Sequence, residues 1–251
     1  MNILFVNYGD FTTNSLNHIS GFANTLCARG EACVVAVPAN RETISIIPEP
    51  RFAPVTFAEA LEQPALFPDG RTADIIHAWT PREVVRKFLL SYQRLAVPAA
   101  RVIIHLEDNE DFLIEQYTGR SAAELRRASP VELATLLVDG LPHPWRYQNL
   151  LRVADGVTVI VDRLRQFAPT AGPVQLLPPG VDFTQYHPQA ADPALRRQIG
   201  LGEREKVIVY TGSTTFANEG ELRDLYAAIA LLNQRGIPTR LVRTGLASPG
   251  F

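Results

Sequence analysis

The chain has 251 residues and a mass of 27.7 kDa, enough for one large domain or two small ones. Its 46% hydrophobic and 20% charged residues exclude a disordered polymer, and a formal net charge of −2 excludes a global basic field of the kind that gathers nucleic acid or anionic membranes. Two cysteines, Cys27 and Cys33, are too few for a disulfide framework.

Strand and helix patterns alternate along the chain. Ile3 to Val6 is a short apolar run, stopped by Asn7-Tyr8-Gly9-Asp10. Ile19, Phe22, Ala23 and Leu26 then recur at helical spacing, and Gly30 ends that helix. Ala32 to Val37 is a Val-rich run of the kind that suits a parallel strand buried on both faces. From Pro38 to Thr72 the sequence is irregular and rich in proline, with one short helix expected near Phe57 to Leu61. Asp74 to His77 reads as a strand, and Pro81 is expected at the first turn of a helix with Val84, Val85, Phe88 and Leu89 on its apolar face. Arg101 to His105 is the next strand. Ser121-Ala122-Ala123-Glu124 and Ser129-Pro130-Val131-Glu132 are capping boxes, and Tyr147 to Val153 reads as a helix. Gly156 to Val161 and Val174 to Leu177 are strands, with a short helix through Leu164 and Phe167. The stretch from Asp182 to Glu205 reads as a domain junction with a short helix near Leu195 to Ile199. A strand over Lys206 to Tyr210, a helix over Glu219 to Gln234 and a strand over Arg240 to Arg243 follow.

This order implies an α/β chain with a doubly wound parallel sheet over residues 1–185, and an incomplete second unit of the same kind over 186–251. Ligands of such sheets bind beyond the carboxyl ends of the strands, which directs attention to the loops after Val6, Ile76, Ile104, Leu177, Tyr210 and Val242. One strand–helix–strand unit leaves an open edge. The chain is therefore expected to be a piece of a longer protein; the alternative is that the small unit packs onto the first and is complete.

Several spaced elements resemble the retaining glycosyltransferases of GT-B fold, of the group 1 or family 4 kind. They are the opening strand with its polar loop and a helix ending Leu26-Cys27-Ala28-Arg29-Gly30-Glu31, then Asp74-Ile75-Ile76-His77, Val102-Ile103-Ile104-His105, Ala154-Asp155-Gly156-Val157, Pro179-Gly180-Val181-Asp182 with Tyr186-His187-Pro188, and Val209-Tyr210-Thr211-Gly212. The resemblance implies an amino-terminal Rossmann-like domain for the acceptor and the start of a domain for a nucleotide-diphosphate sugar. It implies no bound metal and no cofactor, the leaving diphosphate being held by basic side chains and helix amino ends. The partners implied are a nucleotide sugar and a glycan, lipid or small-molecule acceptor, with no nucleic acid. Oligomeric state stays open.

On this resemblance His105 matches the histidine beside the sugar-transfer point and is the catalytic candidate. Its bland alternative is a strand-end histidine satisfied by backbone. Gly9, Asn14, Ser15, His18, His77, Glu107 and Asp108 are acceptor-side candidates. Against this, Asn14, Ser15 or Asn17 could simply cap a helix, Glu107 and Asp108 could be an acidic helix start, and Trp79-Thr80-Pro81 reads as a structural turn. Gly212, Ser213, Thr214 and Gly245 are donor-side candidates through backbone amides and hydroxyls. The family's Gly-Arg pair and following lysine are missing from Gly212-Ser213-Thr214-Thr215-Phe216-Ala217-Asn218-Glu219, so the chain alone is expected to be inactive. The family's paired glutamates would lie beyond Phe251. His143, between Pro142 and Pro144, reads as part of a rigid turn.

The sequence holds no Gly-x-Ser-x-Gly, phosphate-loop lysine or His-Glu-x-x-His motif. Two rival readings are a non-catalytic sugar- or nucleotide-binding module and a sugar-nucleotide epimerase of GT-B fold. A cytoplasmic setting is expected from the cysteines and the opening strand. Arg82, Arg86, Lys87 and Arg94 raise a peripheral membrane contact, or the solvated face of one helix.

Overall fold

The computed structural model describes residues 1–96, 99–169, 171–183, 186–214 and 218–245. The chain divides into two compact units, residues 1–186 and 187–251.

The first unit carries β1 (Asn2–Val6), α1 (Asn14–Ala28), β2 (Ala32–Val37), β3 (Ala53–Thr56), α2 (Phe57–Glu62), β4 (Ile75–Trp79), α3 (Glu83–Leu95), β5 (Arg101–Leu106), α4 (Glu110–Thr118), α5 (Ala122–Leu125), α6 (Pro130–Leu136), α7 (Arg146–Val153), β6 (Gly156–Val159) and β7 (Val174–Leu176). Its seven strands form one sheet in the order β3-β2-β1-β4-β5-β6-β7, parallel throughout. This is the doubly wound α/β class expected from the alternation of elements. The strand order reverses between β1 and β4, which makes their carboxyl ends the topological switch point where ligands of such sheets bind.

Side chains leave the two faces of each strand in turn. Along β1, Ile3 and Phe5 pack with Leu16, Ile19 and Ala23 of α1, while Leu4 and Val6 pack on the opposite layer with Phe57 of α2 and Phe88 and Leu89 of α3. Each such residue withdrawn from water contributes about 1.5–3 kcal/mol. Tyr92 of α3 donates its hydroxyl to the Pro64 carbonyl at 2.9 Å, pinning the irregular stretch before β4 onto the helix.

Four local expectations are corrected. The stretch from Pro38 to Thr72 contains β3, a four-residue edge strand whose Pro54 hid it. β4 runs on to Trp79, so His77 sits inside the strand rather than at its end. α3 starts at Glu83 with Arg82 at the N-cap, which leaves Pro81 outside the helix. None of Asn14, Ser15 and Asn17 caps α1, because Thr13 holds the N-cap position and all three lie inside the helix. His143 stands in the turn before α7, where its Nδ1 accepts the backbone N–H groups of Trp145 and Arg146 at 3.3 and 3.4 Å.

Two of the motif residues are structural. The Asp74 carboxylate accepts the Asn2 backbone N–H at 2.8 Å, and the Asp155 carboxylate accepts that of Val102 at 2.7 Å. Each ties off the unpaired amino end of a neighbouring strand, at the edge of the sheet opposite that switch point.

The second unit holds α8 (Pro193–Gln198), β8 (Lys206–Tyr210), α9 (Glu219–Gln234) and β9 (Thr239–Arg243). β8 and β9 pair in parallel, with α9 as the crossover between them, and Leu222 and Ile229 are its buried apolar face. Residue 185, at the expected domain boundary, and residues 215–217 of the loop after β8 lie outside the described residues.

Candidate functional site

The carboxyl ends of β1, β4 and β5 bring most of the acceptor-side candidates together. Trp79, the largest fully buried side chain, stands at the centre. Its indole stacks on His105 at 4.2 Å between centroids and lies 4.7 Å from His77. Its Nε1–H donates to Glu107 Oε1 at 2.9 Å, and the Ser15 hydroxyl from α1 donates to the other carboxylate oxygen. Both oxygens of Glu107 are thereby tied, one by a strand and one by a helix. That fixes the loop after β5 against the amino end of α1. No acidic helix start requires this, since Glu107 precedes the Asn109 N-cap of α4.

His105 is 1% exposed, and burial lowers its pKa to about 3, with the neighbouring His77 and His18 adding to the fall. Burial alone takes His77 to about 4. Both rings are therefore neutral at physiological pH, able to donate and accept hydrogen bonds but carrying no charge. His105 Nδ1 lies 2.8 Å from Thr158 Oγ1 on β6, and His77 Nε2 lies 3.0 Å from the same oxygen.

Gly9 occupies a tight turn after β1. Its carbonyl accepts the Asn7 side-chain amide at 2.9 Å, and a Cβ there would sit 2.5 Å from Thr13 Cγ2. Asn14 is exposed and His18 half-buried on α1, and Asp108 is exposed. Asp108 pairs with Arg82 at 3.5 Å, while the Arg82 guanidinium lies over the Tyr8 ring at 3.6 Å.

Sequence reasoning missed three residues here. Thr80 is fully buried with φ of +65°, although it is β-branched and precedes a proline. Both properties oppose that conformation, so the turn stores strain of about 1–3 kcal/mol. The signal available was the Thr-Pro pair at a strand end, read only as a turn. Arg82, one of four cations in the run from Arg82 to Arg94, reaches back over Tyr8 instead of into solvent. Glu110, at the first turn of α4, is 2% exposed, and neither carboxylate oxygen meets a hydrogen-bond donor among the described residues. Burial pushes its pKa up to about 8 against the pull of Arg82, and the charges of Asp108, Glu107 and Asp111 push the same way. Thr80 Oγ1 and Arg82 Nε are likewise buried without partners.

Two further α3 cations are engaged: Arg86 binds Glu83 at 2.6 Å and Lys87 binds Asp139 at 2.8 Å. Glu83 and Lys87, with Leu133, Leu137 and Arg146, line a separate cavity of about 260 Å³.

In the second unit the loops after β8 and β9 meet. A Cβ on Gly245 would fall 2.1 Å from the Gly212 carbonyl oxygen, so only glycine allows this approach. Ser213 is exposed, and its carbonyl accepts the Asn218 side-chain amide at 2.9 Å. Thr214 is buried, and its hydroxyl oxygen accepts from Arg243 Nη2. Arg243 Nη1 donates to the Tyr226 hydroxyl at 2.9 Å. Arg243 therefore places a guanidinium at the Gly212 loop, where the sequence motif lacked a base. It comes from the neighbouring strand, which a search along the loop could not find.

Among the described residues no group of three or more His, Cys, Asp or Glu side chains could hold a metal ion, and no helix is long and apolar enough to cross a membrane.

No protein-family profile matches the chain, and no curated protein sequence does. Solved structures do. HepE from Anabaena, in complex with UDP and glucose, is 14% identical with a TM-score of 0.55, over 99% of this chain and 70% of its own. A UGT transferase from Siraitia grosvenorii in complex with UDP is 9% identical with a TM-score of 0.51, over 98% and 74%. Apo UGT2 from Phytolacca americana is 14% identical with a TM-score of 0.54, over 100% and 64%. The class defined is thus an α/β fold with a Rossmann-like first unit, shared with these solved structures.

Proposed function

We propose that the chain is the acceptor-side domain, with part of the donor-side domain, of a glycosyltransferase using a nucleotide-diphosphate sugar. The observation that carries this is the site at the carboxyl edge of β1, β4 and β5. There a buried, neutral His105 stacks on Trp79 beside a pinned Glu107 and the strained turn at Thr80. UDP is the natural first choice of nucleotide, because the solved structures of HepE and the Siraitia enzyme hold it.

In this reading His105 faces the acceptor and the transferring sugar. Gly9, Asn14, Ser15, His18, His77, Glu107 and Asp108 shape the acceptor side. Gly212, Ser213, Thr214 and Gly245 offer amides and hydroxyls to the diphosphate, and Arg243 supplies the positive charge. Transfer with retention, and absence of turnover by these residues alone, belong to the same proposal. A metal ion or resident cofactor has no part in it.

Calorimetric titration of the chain with UDP tests the reading. UDP should bind, and Arg243→Ala should weaken binding about tenfold, the loss of one charge-assisted hydrogen-bonding group. Wild-type affinity weaker than about 1 mM would remove the donor-side assignment.

A further inference from the structure

His77, Thr158 and His105 stand on three adjacent strands. Thr158 pairs with His105 across β5 and β6, and His77 lies two residues before Trp79, the β4 partner of His105. The Thr158 oxygen is within hydrogen-bond distance of both rings, 2.8 Å from His105 Nδ1 and 3.0 Å from His77 Nε2. A hydroxyl has one proton to give and lone pairs to accept with. A neutral imidazole has one N–H and one bare nitrogen. Two bare nitrogens cannot share one hydroxyl proton, and two N–H groups would leave that proton no acceptor within the triad.

Only two arrangements let the three groups satisfy one another. In the first, Thr158 donates to His105 Nδ1 and receives the Nε2–H of His77. In the second, Thr158 donates to His77 Nε2 and receives the Nδ1–H of His105. Both rings are thus Nε2–H in one arrangement and both Nδ1–H in the other. We propose that His77, acting through the Thr158 hydroxyl, sets the tautomer of His105. It thereby decides whether His105 Nε2 presents a proton or a lone pair to a bound group. His77 is then a positioning residue, one strand away from the residue it controls. The coupling stands on the geometry alone; its use toward a sugar substrate rests on the glycosyltransferase reading.

Long-range proton–nitrogen correlation spectra of the full chain, with ¹⁵N-labelled histidine at neutral pH, read tautomers directly. The chain has only five histidines, so single His→Gln variants assign them. His77 and His105 should show the same tautomer. His77→Phe should drive His105 to Nε2–H, because the Thr158 proton then has one ring nitrogen left to meet. Thr158→Val keeps the side-chain shape and should shift the His105 tautomer ratio, and Thr158→Ser should restore it. Opposite tautomers in the wild type, or His105 signals unchanged in both His77→Phe and Thr158→Val, would overturn the proposal. Adding UDP and glucose to the same sample separates the two ideas. Moved His105 signals support its place in a sugar site. Coupled tautomers with unmoved signals uphold the coupling and count against the glycosyltransferase role.

Discussion

Glu110 and the two strand histidines oppose one another in their effect on stability. The Glu110 carboxyl titrates near 8 in the folded chain against an ordinary value of 4.5, so the folded state holds its proton more tightly. Stability from this group is complete below pH 4.5 and falls as pH rises toward 8. His77 and His105 titrate near 4 and 3 against an ordinary 6.5, so the unfolded state binds their protons more tightly. Their contribution is present above pH 6.5 and falls as pH drops toward 4. The three together place maximum stability near pH 6.5. Glu110→Gln should remove a penalty of a few kcal/mol at pH 8 and raise the melting temperature there by about 4 °C or more, with little change at pH 5. Thermal melts across that range check it; an unchanged decline on the alkaline side in the variant would assign the loss elsewhere. None of this was legible in the sequence. Glu110 stood among four acids in five residues, and which of them is buried depends on Asn109 capping α4 and turning it inward.

At the scale of elements, local chemistry was readable wherever it was self-contained. Both capping boxes form as spelled: Ser121 with Glu124 and Ser129 with Glu132 exchange side-chain and backbone bonds at the starts of α5 and α6. Ser129→Ala should cost about 1 kcal/mol in urea unfolding, with an unchanged slope. A loss near zero would mean that Pro130 alone holds the helix start. The bounds of β8 and α9 also matched their apolar patterns. Elements that depend on a neighbour were not readable. β3 exists because β2 offers it an edge, and four residues with a proline carry no signal of their own. Gly245 belongs to the same kind. Its lack of a side chain matters because Gly212 approaches it, so Gly245→Ala should force the two loops apart and abolish UDP binding measured by calorimetry. Undiminished binding would remove the loop pair from the donor side.

For the whole molecule, the alternation of strands and helices pointed to the carboxyl ends of the strands as the place where the candidates collect. His105, Glu107, Ser15 and Gly9 do gather at the carboxyl ends of β1 and β5, as strand order required. Their mutual contacts were not foreseeable. The bond from Ser15 to Glu107 spans 92 positions, and that from His77 to Thr158 spans 81. Arg243 shows the same limit in the second unit. Its charge was sought beside Gly212 in sequence and is supplied by β9, 29 positions beyond the Thr214 it touches.

The proposed donor side is the pair of loops after β8 and β9 in the second unit, offered to the diphosphate of a nucleotide sugar. Amide chemical-shift mapping of the full chain with UDP addresses it most directly. Perturbations are expected at Gly212, Ser213, Thr214, Arg243 and Gly245, and are expected to be lost in Arg243→Ala. No perturbation at saturating UDP, or perturbations confined to the cavity lined by Glu83, Lys87 and Arg146, would contradict it.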